Sequence, residues 1–177
     1  MSTATAMEVC TRSLAIMAEG TLADFAQVIH PDAINREADA EPPACRTRGP
    51  AAFLASANWL RSAFADLSWS IEDIAGSADL VAMRTMMSGR QVGTFVTYDA
   101  DGRAAQAMPS RGRSFAVHQT HWLRLAGGLI IEHWADRDDL GLAVACGWVP
   151  PSPAFLIRMA MHLRRARRQS ALGSVSR

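Results

Sequence analysis

With 177 residues, 49% of them hydrophobic and 20% charged, and a formal net charge of +1, the chain has the make-up of a soluble globular domain large enough to bury one core without staples. No apolar run approaches the ~18 residues of a membrane helix, and Met1-Ser-Thr-Ala-Thr places no basic segment ahead of an apolar one, so no secretory signal is expected and a cytoplasmic location is. All eighteen basic residues are arginine and none is lysine, which excludes Schiff-base and pyridoxal-phosphate enzymes, Walker-type phosphate loops and protein kinases, each of which needs a lysine amine at a fixed place.

The apolar positions Met7, Cys10, Leu14 and Met17 have helical spacing and predict a first helix over residues 3–20, stopping at Gly20. Thr21 is the expected N-cap of a second helix over 22–29, ended by the His30-Pro31 break. Residues 32–48 are polar, contain proline and show no period, and read as a loop over the surface or over a pocket mouth. Gly49-Pro50 opens a third helix, predicted to run through Leu67 with Phe53, Ala57, Leu60, Phe64 and Leu67 on one stripe. From Ser68 the period changes to two, giving strands over 69–75, 80–88 and 94–98, then a turn at Asp99-Ala-Asp-Gly102 and a loop or inserted hairpin end as far as Gly112. Cys10, Cys45 and Cys146 lie far apart with no zinc spacing, so free thiols and no metal are expected.

Residues 114–136 read as two strands joined by Ala126-Gly127-Gly128. With that three-residue loop, Leu123 faces Ile131, His121 faces His133 and Gln119 faces Ala135. Alternation then puts Val117, Gln119, His121, Leu123, Ile131, His133 and Ala135 on one face. Two imidazoles and an amide among aliphatic side chains have the make-up of a small-molecule pocket; histidines satisfied by hydrogen bonds within a core are the other reading. Asp136, Arg137, Asp138 and Asp139 follow, with Asp136 on the opposite face against His118 and Asp138 past the strand end, where a bulge would turn it inward. This run serves either a helix start with surface ion pairs or the site itself. A short helix over 140–146, stopped by Gly147, precedes Pro150-Pro-Ser-Pro153 and a last helix over 154–168. The run Arg164-Arg165-Ala-Arg167-Arg168 has no interleaved aromatic residues and ends a helix whose dipole favours cations, so it reads as a solvated tail, dispensable for fold and ligand binding, with no nucleic-acid or membrane partner. The division is a domain over 1–150 and a C-terminal helix with basic tail over 151–177.

Three helices followed by antiparallel strands ending in a polar-lined hairpin describe an α+β fold whose sheet wraps a pocket. His30-Pro-Asp-Ala-Ile-Asn35-Arg-Glu37, Gly49-Pro-Ala-Ala-Phe-Leu54, Gln119-Thr-His121-Trp-Leu-Arg124 and Glu132-His133-Trp134 resemble the SnoaL-like polyketide (ester) cyclases of the nuclear-transport-factor-2-like superfamily, over residues 30–148. The resemblance implies a cone-shaped fold, with N-terminal helices on a curved antiparallel sheet around a pocket and a C-terminal helix. It also implies a homodimer and an intramolecular aldol step on a hydrophobic polyketide ester, without metal or organic cofactor. Gln119 and His121 match positions that hold substrate oxygens, and His133, Asn35 and Arg137 join them as expected substrate contacts. The family's catalytic carboxylate directly follows the tryptophan of Glu-His-Trp, where this chain has Ala135. Its expected replacement is His121 as acid and base, with Asp138 or Asp136. A binding module that has lost turnover, and a water-activating relative of epoxide hydrolase or hydroxylase type using residues 136–138, are the alternatives. Trp122 and Trp134 on the outer sheet face would suit a dimer contact.

Overall fold

The structure, a computed structural model, describes residues 2–173. Helix α1 (Thr3–Glu19) starts where the Ser2 side chain accepts from Thr5 N and ends at Gly20. Its last turn carries no basic residue; instead Arg61 of α3 (Pro50–Ala63) donates to the carbonyls of Ile16, Met17 and Gly20 at 2.7, 2.9 and 3.1 Å. The Ile16 carbonyl also accepts from Gly20 N at 2.7 Å, so Arg61 adds to that cap and supplies a donor to the Met17 carbonyl beyond it. Helix α2 is shorter than predicted, Leu22–Ala26, with a Thr21/Asp24 capping box.

The chain then enters strand β1 (Ile29–Asn35), where the sequence predicted a helix end and a loop. β1 lies at the sheet edge, parallel to β7 (Leu129–Arg137), a place where the missing N–H of Pro31 is tolerated. Two 3₁₀ turns, Arg36–Ala40 and Pro43–Arg46, replace the rest of the expected loop. Helix α3 stops at Ala63, and Phe64 begins β2 (Phe64–Gly76) with no intervening loop. Phe64 and Leu67 are buried as the helical stripe required, but from a strand. β3 (Leu80–Gln91) and β6 (Ser114–Ala126) complete a sheet of order β1-β7-β6-β3-β2, antiparallel except for β1. β4 (Phe95–Tyr98) and β5 (Ala104–Met108) form a separate hairpin.

The β6–β7 hairpin corrects the predicted register. Gly127 and Gly128 have φ of 58° and 87°, the pair of positive angles that a two-residue hairpin loop requires, so Ala126 pairs with Leu129. A bulge then leaves Ile131 as an extra residue between the Leu125–Ile130 and Arg124–Glu132 pairs. Beyond it Leu123 pairs with His133, His121 with Ala135 and Gln119 with Arg137. The inward face keeps Gln119, His121, His133 and Ala135, while Ile130 rather than Ile131 is the fully buried isoleucine.

Helix α4 (Asp139–Ala145) and helix α5 (Pro153–Gly173) close the fold. Phe155 is fully buried, and the side chains of His162 and Thr94 hydrogen-bond at 2.8 Å. Arg167 donates to the Ala104 carbonyl at 3.0 Å, so the basic run is docked on β5 rather than wholly solvated. The end of the predicted tail, residues 174–177, lies outside the described residues. No described helix is long and apolar enough to cross a membrane.

Candidate active site

Helices and sheet enclose a cavity of about 510 Å³ whose walls include Phe53, Phe64, Trp69, Phe95, Leu123 and Trp148. Both core clusters, one centred on Phe25, Ile29 and Leu123 and the other on Phe64, Phe115 and Trp148, contribute to it. The volume suits a small organic ligand, and the walls are chiefly apolar with a few convergent polar groups.

Those groups form a line. Trp69 Nε1 donates to Gln119 Oε1 at 3.1 Å, and His121 Nε2 meets the same oxygen at 3.0 Å. His121 Nδ1 lies 3.0 Å from His133 Nε2, and His133 Nδ1 lies 2.9 Å from Asn35 Oδ1. The line continues through Ser56 to the carboxylate of Glu41, buried at 4% exposure. His121 and His133 meet although they are not directly opposite, because the diagonal neighbour on a sheet face lies within reach of a ring.

The structure thus brings Gln119, His121, His133 and Asn35 together. Arg137 also borders the cavity, paired with Glu37 at 3.6 Å and Asp139 at 3.5 Å. The two aspartates expected to assist His121 lie elsewhere. Asp136 pairs with Thr120 rather than His118 on the outer face, and accepts from Trp122 Nε1 at 3.2 Å. Asp138 is the N-cap of α4 and accepts from Gly141 N at 2.7 Å; capping consumes the carboxylate that a bulge was expected to turn inward.

Two carboxylates that sequence reasoning did not select do line the cavity, Glu37 and Glu41. Glu37 Oε1 accepts from Ala135 N at 2.9 Å. The only sequence signal for Glu37 was its place two residues after Asn35, whose side chain accepts from Glu37 N. Glu41 stands before Pro42-Pro43 in a segment without period, and nothing local marks it as buried.

Burial, with a smaller contribution from Arg137, pushes His121 down to about 4. His133 lies well below its ordinary value through burial, then His121 and Arg137. Burial raises Glu41, against the lowering effect of its Ser56 and Cys45 hydrogen bonds. The three cysteines are free and buried, which pushes Cys10 and Cys45 up to about 12 and Cys146 to about 11.

These shifts have a measurable sign. A histidine depressed in the folded state contributes stability above its unfolded value of about 6.5, and loses it as pH falls towards the folded value. For His121 the loss between about pH 7 and pH 5 comes to about 2 kcal/mol, from its folded value of about 4. His133 adds in the same direction, whereas the raised Glu41 loses its contribution as pH rises through its shifted value. Urea unfolding of the native protein and of a His121→Gln variant should therefore show a larger drop in unfolding free energy from about pH 7 to about pH 5 for the native protein; equal drops would show that the His121 imidazole is not held neutral.

A family model described as SnoaL-like polyketide cyclase matches residues 7–145. The chain is 32% identical over 136 residues to the aklanonic acid methyl ester cyclase DnrD of Streptomyces peucetius, covering 76% of this chain and 85% of that one. It is 32% identical over 108 residues to the aklanonic acid methyl ester cyclase DauD of Streptomyces sp. (strain C5), covering 60% of each. Among solved structures, TsrD from Streptomyces laurentii superposes with a TM-score of 0.67 at 26% identity, covering 83% of this chain and 98% of that one. The helices on a curved, mostly antiparallel sheet are therefore the NTF2-like fold that the sequence motifs implied, and the chain belongs to the SnoaL-like polyketide cyclase family.

Proposed function

We propose that the protein is a cofactor-independent cyclase that closes a ring in a hydrophobic, oxygenated polyketide ester by an intramolecular aldol step, with His121 moving the proton. The observation that carries this reading is the His121–His133 pair, held between Gln119 and Asn35 in the wall of a largely apolar cavity. An intramolecular aldol is neutral in protons. The base takes one from carbon flanked by carbonyls, the carbon–carbon bond forms, and the same proton returns to the new alkoxide. One group can serve as base and acid in turn, so a second carboxylate is not required. Gln119, His133, Asn35 and Arg137 are the groups that hold the substrate's oxygens.

The test is incubation of the purified protein with a polyketide methyl ester bearing a 1,3-dicarbonyl, followed by chromatography for a cyclised isomer of unchanged mass. Ala135→Asp extends it. Position 135 pairs with His121 on the inward face, so an aspartate there raises the proton affinity of the imidazole. The rate is expected to rise several-fold, with the pH–rate midpoint moving upward.

A binding module is the second reading, favoured by Ala135 itself. It is the correct one if the native protein binds such esters without turnover and Ala135→Asp alone creates activity. The water-activating reading loses Asp136 and Asp138, which are engaged by the Trp122 indole and the α4 cap, and keeps Arg137, which borders the cavity with Asp139 3.5 Å away. We also read the chain as a cytoplasmic homodimer. The outer sheet face carries the stacked indoles of Trp122 and Trp134, 6.2 Å apart and nearly parallel at 3°, a flat aromatic surface suited to a second copy.

A further inference from the structure

We propose that His121 and His133 act as one base sharing a single missing proton, and that Asn35, held by Ser56 and Glu41, is the positioning residue that places the vacancy on His121 Nε2, against the Gln119 amide. The inference deepens the cyclase reading and rests on it for the chemistry; the proton count beneath it does not.

Both ends of the imidazole pair abut oxygens whose orientation is fixed by a group that can only donate. Trp69 Nε1 donates to Gln119 Oε1 at 3.1 Å, while the Gln119 amide nitrogen faces Met87 Sδ at 3.2 Å. The backbone N–H of Glu37 donates to Asn35 Oδ1 at 3.2 Å. Turning either amide over would set its NH₂ group against one of those donors. His121 Nε2 and His133 Nδ1 therefore each face an acceptor, at 3.0 and 2.9 Å, and the two rings face each other at 3.0 Å.

Three contacts need three protons, and two neutral imidazoles carry two. Burial and the Arg137 guanidinium keep the third proton off at neutral pH. One contact is then left as lone pair against lone pair. The far end of the line decides which. Ser56 donates to Glu41 and stands 3.5 Å from Asn35 Nδ2, so a carboxylate polarises the hydroxyl, the hydroxyl polarises the amide, and Asn35 Oδ1 becomes the stronger acceptor. His133 then carries its proton on Nδ1, His121 carries its own on Nδ1 and donates to His133 Nε2, and His121 Nε2 is bare.

That bare nitrogen is the base, reached by substrate when the Gln119 amide it faces at 3.0 Å turns aside. A carbon acid in the cavity gives its proton to His121 Nε2 and keeps the electron pair as an enolate. The three-proton pair is the form in which every contact is satisfied, until the alkoxide formed in ring closure takes the proton back. No outside donor or acceptor enters.

The experiment is nitrogen NMR of ¹⁵N-histidine-labelled protein at neutral pH, without substrate, the two rings being assigned with His121→Gln and His133→Gln. The expected result is Nδ1–H on both rings with an unprotonated His121 Nε2, and the uptake of one proton by the pair at a midpoint common to both rings as pH falls. Asn35→Leu should move the His121 proton to Nε2 and lower kcat at least tenfold; Ser56→Ala should shift the same tautomer partway and covers the case in which the leucine variant does not fold. A native His121 protonated on Nε2, or rings that titrate independently, would overturn the proposal. Absence of turnover with the expected tautomers would instead count against the cyclase reading alone.

Discussion

Replacing His121 with alanine is expected to cut turnover of a polyketide methyl ester by ~100-fold or more while leaving KM and the fold nearly unchanged, the scale set by loss of a positioned acid–base group. The fold should survive because the groups left behind keep partners. Gln119 Oε1 still accepts from Trp69, and His133 Nδ1 still faces Asn35. His133 Nε2 alone loses its partner, and it lies beside a cavity large enough to admit water. Steady-state kinetics with circular dichroism separates the outcomes: a variant that folds and keeps native turnover removes His121 from the chemistry.

Phe64→Ala should have the largest effect on stability, about 3–5 kcal/mol, as for other large-to-small changes in a packed core. Phe64 is 2% exposed and packs on Phe95 and Phe115 with ring centroids 5.2 and 5.1 Å away. It also stands at the junction where α3 passes into β2 without a loop, so the void cannot be filled by a shift of one element alone. Its ring lines the cavity, and truncation should widen the space offered to ligand. A urea-unfolding midpoint within error of native would show that the site collapses around the smaller side chain.

Period and turn chemistry made most elements legible. The inward face of β6 followed from alternation alone, and it carried Gln119 and His121 to the site. Facing residues on β7 came out two positions off, because a chain read for period does not show whether two glycines make the whole turn or a bulge follows it. β1 was hidden because its pairing is parallel and remote: His30-Pro31 is a break by local rules, and only the partner β7 makes it a strand. The carboxylates were the hardest part. Asp136 and Asp138 drew notice by lying near the histidines in sequence, and the fold employs one on an indole and the other as a helix cap. Glu41 reaches the site through a 3₁₀ segment whose path is set by what it packs against, a contact with no periodic signature.

The spare residue in β7 bears on how far this strand can change in length. The ladder passes from the Leu125–Ile130 pair to the Arg124–Glu132 pair with Ile131 opposite nothing on β6. Removing Ile131 would leave a regular ladder in which Glu132, His133, Trp134 and Ala135 keep both partners and faces. Removing His133, Trp134 or Ala135 would carry the positions on one side of the gap to the opposite face. The hairpin therefore contains a place beside the turn where a single-codon deletion is silent for the cavity, while the same event from His133 onward would change which β7 side chains face it and leave Gln119 and His121 on β6.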